Sequence, residues 1–153
     1  SSRFFKSLAQ IVTTAKPKKR DEKGKLALDN AVAALLTMAK EKSPQCPPEV
    51  RAWELVVSKL PLRDDEDEAK KVHKVVVDLV LEQNQGLMGP NRENLGQVLS
   101  IMAEVYKVES ICEKETDEKI LQVFKMLPRD LLQSLAPRLT EKQQKKIEKM
   151  LTS

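Results

Sequence analysis

The chain has 153 residues, of which 33% are charged and 41% hydrophobic, a size that supports one domain with its own apolar core. Only 3% of the residues are aromatic and only four are glycine, which disfavours a β-sandwich or barrel and favours an all-α fold. A net charge of +4 and a pI near 9.0 permit an acidic partner without requiring one.

Cysteine usage and hydropathy indicate which cellular compartment and which class of protein to expect. Cys46 and Cys112 have no metal-binding spacing and indicate no disulfide framework, so we expect a reducing compartment. No segment approaches the ~20 apolar residues of a membrane span, and we expect neither a membrane segment nor a signal peptide. Because the sequence starts without Met and within an apolar pattern, we expect it to be part of a longer protein.

The N-terminal part predicts a short helix followed by a charged loop. Residues 3–15 have helically spaced apolar positions, and residues 16–25 combine charge with both Pro and Gly. Residues 16–20, KPKKR, match a monopartite nuclear localisation signal. Such short basic motifs often occur by chance, so a solvated loop is the favoured interpretation and a working signal is the alternative.

Two further helices are predicted before the centre of the chain. Residues 26–40 form a helix with a small apolar face, which suits close packing on neighbouring helices. Pro47 and Pro48 stand where a helix can begin, so the next helix is predicted over residues 49–60. Pro61 ends that helix because proline disfavours α geometry in the residue before it.

The acidic run at residues 64–68 predicts the start of a longer helix that reaches Leu81. Asp65 and Glu68 resemble a capping box, and acidic residues suit the positive end of the helix dipole. A contact for basic cargo is the alternative interpretation of the same run. The apolar positions recur at helical spacing, which predicts one buried face. They are Ala69, Val72, His73, Val76, Leu79 and Val80.

The part of the sequence after Leu81 predicts a structured turn and four more helices. Gly89, Pro90 and Asn91 mark the turn. The helices are predicted from about 91 or 94 to 107, from Thr116 to 127, over 130–135, and from Thr140, which forms a capping box with Gln143.

These elements suggest a repeat of paired helices. The second helix of each pair is predicted to begin near Asp29, Asp65, Thr116 and Thr140. These spacings are irregular, but we interpret the first two as fitting the ~40–47 residues of a HEAT-type repeat. The predicted fold is a HEAT-repeat α-solenoid, a right-handed superhelix of antiparallel helix pairs. Residues 1–153 are predicted to be a single domain. Its divisions are a partial repeat with the basic loop at 3–25 and helix-pair repeats at 26–60, 61–107 and 108–153. The alternative prediction to the solenoid is a compact helical bundle without a repeat.

Four segments resemble a known family in their order and spacing. DNAVAAL at 29–35, LPLRDDEDEAKKVH at 60–73, LMGPNRENL at 87–95 and SIMAEVY at 100–106 resemble the C-terminal HEAT repeats of importin-β family karyopherins, nearest to the importin-5 group. The ending LTEKQQKKIEKML is similar to the last helix of that family. Residues 107–116 depart from the family pattern, and the loop at 16–25 is unusually basic.

The resemblance implies a nuclear transport receptor that works in the cytoplasm, the nucleus and the pores of the nuclear envelope. Such receptors bind cargo proteins with basic localisation signals on a concave face built from second helices. They release cargo to Ran in its GTP form, mainly through N-terminal repeats absent here, and hold phenylalanine-glycine segments of nucleoporins between outer helices. By position, the cargo-contact candidates are Asn30, Asp67, Lys71, Lys74, Asp78, Glu118 and Gln122.

No catalytic, cofactor or metal site is predicted. His73 is the only histidine and lies on an apolar helix face, so we interpret it as a packed residue; Trp53 is likewise interpreted as core rather than as a binding-surface aromatic. Two other functions stay open: a HEAT scaffold of another assembly, such as a phosphatase or translation scaffold, and a basic helical nucleic-acid-binding domain. The lysines at 16–25 and 142–149 motivate the latter, but interleaved acids and scarce aromatics disfavour it.

Overall fold

A computed structural model describes residues 2–153, and over that range the protein is all-α. The described part contains nine α-helices and three single-turn 3-10 helices, and it has no β-strand. The helices are α1 (Ser2–Thr14), α2 (Glu22–Glu41), α3 (Ala52–Ser58), α4 (Glu66–Leu81), α5 (Gln85–Met88), α6 (Leu95–Val105), α7 (Lys114–Met126), α8 (Arg129–Leu135) and α9 (Glu141–Thr152). The 3-10 turns are Ser43–Gln45, Pro90–Arg92 and Ala136–Arg138.

Four helices pack side by side in chain order. Helix α2 packs on α4, α4 on α7, and α7 on α9, and we call this series the central row. The other helices flank it: α1 and α3 pack on α2 and on each other, α5 packs on α3 and α4, and α6 packs on α4 and α9. Each helix of the central row therefore places its exposed side next to that of its neighbour.

The apolar faces of these helices merge into one connected core. Fully buried side chains come from both ends of the chain and from its middle, including Phe5 on α1, Leu35 on α2, Leu79 on α4, Phe124 on α7 and Met150 on α9. Removal of this apolar surface from water is the main force that holds the helices together. In α4 all six positions that the periodicity predicts as apolar are buried, which confirms the helical interpretation of that segment.

Two predicted helix starts in the first half of the chain are wrong. Helix α2 begins at Glu22, not near Leu26 or Asp29, because the Asp21 carboxylate accepts the Gly24 N–H at 2.9 Å and caps the helix earlier. Residues 22–25 are thus helical and not part of a loop. Helix α3 begins at Ala52 instead of 49, because residues 47–50 close a separate turn first.

The C-terminal half contains one wrong start and one confirmed cap. Helix α7 begins at Lys114 with Glu113 as its N-cap, so Thr116 lies inside the first turn, where it is buried. At α9, Thr140 and Gln143 form the predicted capping box, each side chain accepting the other residue's backbone N–H. At α4 the Asp65 carboxylate accepts the Glu68 N–H at 3.1 Å, but the predicted capping box is incomplete, because the Asp65 N–H donates to Asp29 and not to the Glu68 side chain.

Two buried polar side chains hold the segment that leads into α4. One carboxylate oxygen of Asp29, Oδ2, accepts the backbone N–H groups of Asp64 and Asp65 at 2.9 and 2.8 Å. Asp29 is only 6% exposed, and burial raises its pKa although the two N–H donors act in the opposite direction. This residue in the middle of α2 therefore anchors the two residues that lead into α4, the next helix of the row.

His73 is the second buried side chain that holds the segment before α4. Its Nε2 accepts the Leu62 N–H at 3.1 Å and its Nδ1 lies 2.8 Å from the Ile111 carbonyl, so the neutral ring carries its proton on Nδ1. Burial lowers the pKa of His73, which favours that neutral form. The interpretation of His73 as a packed histidine is confirmed.

A polar network attaches α9 to α6. The Gln143 amide donates to Glu104 Oε1 at 3.2 Å, and its oxygen accepts from Ser100 Oγ at 3.1 Å as well as from the Thr140 N–H. The Lys146 ammonium donates to the carbonyls of Glu104 and Tyr106, both at 2.9 Å. These bonds orient the last helix, which has only a narrow apolar stripe of its own.

Candidate functional site

The exposed side of the central row is a polar surface built from one stripe on each helix. On α4 the stripe is spaced at i, i+4, i+7 and i+11, so its side chains share one face of the helix. These residues are Asp67, Lys71, Lys74 and Asp78. Since α2 and α7 both pack on α4, their stripes lie on either side of it. We call this surface the polar row.

The predicted cargo-contact residues fall on the polar row. Six of the seven are exposed, and they are Asn30, Asp67, Lys71, Lys74, Glu118 and Gln122. Asn30 on α2 donates its side-chain amide to the Leu26 carbonyl at 2.8 Å, a bond within its own helix. No further bond fixes it, so its outer face is open to a partner.

Asp78 is the exception, because an ion pair already engages it. Its Oδ1 lies 2.8 Å from the Lys119 Nζ, which joins α4 to α7 across the row. The hydrogen bond to Asp78 raises the pKa of Lys119. Sequence reasoning named Asp78 but missed Lys119, since the two residues lie 41 positions apart and no local pattern connects them.

A second feature is an open apolar groove of about 910 Å³ beside the row. Helices α4, α5, α6, α7 and α8 all contribute to its lining. The apolar lining includes Val80, Met88, Leu99, Val123, Met126 and Leu131. Met126 is 68% exposed, so this side chain presents apolar surface at the mouth of the groove. No local sequence pattern predicts the groove, because it forms only when five helices meet.

The rim of this groove is a tightly folded turn. Gly89, Asn91 and Arg92 all have positive φ angles, of 76°, 55° and 57°. A side chain at Gly89 would place its Cβ 2.8 Å from the Asn94 amide nitrogen, so this position requires glycine. Asn94 also donates to the Leu87 carbonyl at 3.1 Å, which holds the turn closed. The prediction of a structured turn at 89–91 is confirmed, and the turn places Arg92 at the groove.

Trp53 packs against Gly86, a residue of α5 that lines the groove. Its indole lies against Gly86, where an added Cβ would come within 2.6 Å of the ring carbon Cε2. The ring is half-buried and packs on the core, as the core interpretation predicts. Gly86 itself lines the groove, so this close contact sets the position of α5 relative to α3.

The reactive side chains are engaged in structural contacts. Burial raises the pKa of the Cys112 thiol and, less strongly, that of Cys46. Over residues 2–153, no three His, Cys, Asp or Glu side chains come together in a way that could hold a metal ion. In the same range no helix is both long and apolar enough to cross a membrane. The polar row and the apolar groove are two candidate surfaces for contact with a partner.

No model of a known protein family matches this sequence.

Proposed function

We propose that this chain is a non-enzymatic binding module, a HEAT-type α-solenoid from the C-terminal part of an importin-β-type nuclear transport receptor. The observation that carries the proposal is the central row, because a solenoid of helix pairs lines up one helix of each pair in this way. The four segments with karyopherin resemblance add support, since they lie on α2, at the start of α4, in the turn before α6 and on α6 itself.

Basic cargo would bind the polar row through its free carboxylates. Asp67 and Glu118 are exposed and take part in no ion pair within residues 2–153, so each can accept a charged hydrogen bond from a cargo lysine. Asp78 would become available only if Lys119 moved away. An exposed pair contributes only ~0.2–1 kcal/mol, so this module would add to contacts made elsewhere in a receptor. Ran binding is not expected from this part.

The cargo proposal is tested by calorimetric titration of a lysine-rich localisation-signal peptide into the full chain. The double substitution Asp67→Asn with Glu118→Gln should weaken binding about threefold or more, because two charged acceptors are lost. The matched control is Glu109→Gln with Asp130→Asn, which removes two exposed carboxylates outside the central row and should leave the affinity unchanged. Equal weakening by both variants, or no binding to the wild-type chain, would contradict a cargo role for the polar row.

The groove is the proposed site for phenylalanine-glycine segments of nucleoporins. Its volume falls in the range of small-ligand pockets, and its apolar lining can bury a phenyl ring. Arg92 at the rim can lie over that ring as a cation–π partner. A peptide of this type supplies both the ring and the small residues that allow close approach of its backbone.

A substitution at the mouth of the groove distinguishes binding of the peptide in the groove from nonspecific hydrophobic binding. Met126→Glu places a charge at the opening and should abolish binding of a phenylalanine-glycine peptide, measured by fluorescence anisotropy. Ile11→Glu is the matched control, because Ile11 is 52% exposed on α1 and lies outside the groove. An alanine-glycine peptide should not bind either variant or the wild type. If Ile11→Glu reduces binding as much as Met126→Glu, the groove is not the site.

A further inference from the structure

Residues 16–25, which cover the end of the loop between α1 and α2 and the first turn of α2, carry a high positive charge. They contain six Lys and Arg against two Asp and Glu, a net charge of +4. The whole chain has 27 basic and 23 acidic residues, also a net of +4. The other 143 residues therefore hold 21 of each sign and are neutral as a group. This segment is thus a strong local source of attraction for anions.

Four of these cations are exposed and uncompensated. Lys16, Lys18, Lys19 and Arg20 are all exposed. Ion pairs elsewhere in residues 2–153 use Lys6, Lys25, Arg51, Arg63 and Lys119, but none uses the four loop cations. Basic side chains that fold without acidic partners are available to an anion at no cost in broken contacts.

The loop is also held in one conformation. At its start the Ala15 N–H donates to the Ile11 carbonyl at 2.9 Å, and Pro17 restricts its own φ angle and the geometry of Lys16. At its end the Asp21 N–H donates to the Lys18 carbonyl at 2.9 Å, which closes a turn with Lys19 and Arg20 at its tip. Since Asp21 also caps α2, the cations are ordered before any partner arrives, which lowers the entropic cost of binding.

We propose that residues 16–20 are a docking segment for an acidic stretch of another protein, in which Asp and Glu carboxylates pair with the loop cations. This inference is independent of the transport proposal. A protein segment fits better than a nucleic acid because no aromatic side chain occurs between residues 13 and 30, so the loop has no surface on which bases could stack.

The test measures binding of a fluorescent decaglutamate peptide to the full chain by anisotropy at ~0.15 M ionic strength. The loop variant replaces three cations by alanine: Lys16→Ala, Lys18→Ala and Lys19→Ala. We expect it to bind about tenfold or more weakly than the wild type, because three charge pairs are lost. Circular dichroism should be unchanged, since these side chains are exposed and form no ion pair within residues 2–153.

A charge-matched control tests whether position matters. Lys142, Lys145 and Lys149 on α9 are exposed and outside any ion pair in residues 2–153. Replacing all three by alanine gives the same net charge as the loop variant, and this control should bind decaglutamate as the wild type does. Equal loss in the two variants would overturn the proposal, because net charge alone would then explain binding. Failure of the wild type to bind decaglutamate would also overturn it.

Binding of a single-stranded RNA decamer tests the alternative of a nucleic-acid partner. It should bind the wild-type chain more weakly than decaglutamate does under the same conditions. Tighter binding of the RNA, lost in the loop variant, would assign the loop to nucleic acid and reject the acidic protein partner.

Discussion

Replacing Asp29 by alanine tests whether a residue in one helix of the central row anchors the segment that leads into the next. The Asp29 carboxylate accepts two backbone N–H groups of the segment before α4. A hydrogen bond to a charged acceptor contributes about 1.5–3 kcal/mol, and part of this is recovered where water reaches the freed N–H groups. Both bonds are only part-buried, so we expect Asp29→Ala to lower the free energy of unfolding by about 2–4 kcal/mol.

The substitution Asp29→Asn measures the contribution of the negative charge separately from that of the acceptor oxygen. Both N–H groups bind the same oxygen, Oδ2, so the amide oxygen can still accept from both, and only the charge assistance is lost. This variant should lose about half as much stability as Asp29→Ala. At the size of this chain ~1 kcal/mol corresponds to ~2–4 °C in Tm, so the alanine variant should melt ~5–15 °C below the wild type.

Thermal unfolding followed by circular dichroism, with urea titration for the free energy, measures both effects. Asn30→Ala is the control, because the neighbouring side chain is exposed and bonds only within its own helix. It should change stability by less than ~0.5 kcal/mol. If Asp29→Ala were no more destabilising than Asn30→Ala, the role of Asp29 as an anchor between α2 and the segment before α4 would be refuted.

Three further predictions address the other anchors. Because burial lowers the pKa of His73, the unfolded chain takes up a proton near pH 6.5 that the folded chain does not. Stability should therefore fall as the pH drops from 6.5 toward the lowered pKa, and the difference in urea midpoint between about pH 7.5 and about pH 5.5 should shrink in His73→Gln. Gly86→Ala should destabilise by ~1–3 kcal/mol despite the better helix propensity of alanine, and should shift the emission of Trp53, the only tryptophan; an unchanged spectrum would contradict the close contact. Gln143→Ala should cost about 1–2 kcal/mol through lost bonds to Glu104 and to the cap, and amide exchange should speed up in α9 but not in α4.

Local pattern predicted the parts of the fold that local chemistry decides. The apolar period of α4 and the capping box at Thr140 depend on residues within one or two turns, and both are confirmed. The predicted start of α2 is too late, because the composition of the charged stretch with Gly24 indicates a loop. In the structure Asp21 caps a helix that already begins at Glu22. At Thr116 a residue type that often caps helices lies instead in the buried first turn.

The missed features all depend on contacts between distant parts of the chain. Asp29 has the side chain of a typical N-cap, but it lies inside α2 and accepts backbone N–H groups of a segment 35 positions away. The pair of Asp78 with Lys119 and the groove beside α5 arise only when the helices are packed. The stripes of the polar row were predictable as exposed faces, whereas their alignment on adjacent helices follows from the packing of α2, α4 and α7. No sequence pattern states which exposed face meets a partner.

The most direct test of the binding role is to map where a partner contacts the molecule. Titration of the isotope-labelled chain with a lysine-rich localisation-signal peptide, followed through backbone amide NMR signals, locates the contact without any substitution. The proposal predicts that the perturbed signals cluster on the exposed stripes of α2, α4 and α7, around Asn30, Asp67 and Glu118. Perturbations confined to α1 and α8, or no perturbation at saturating peptide, would contradict it.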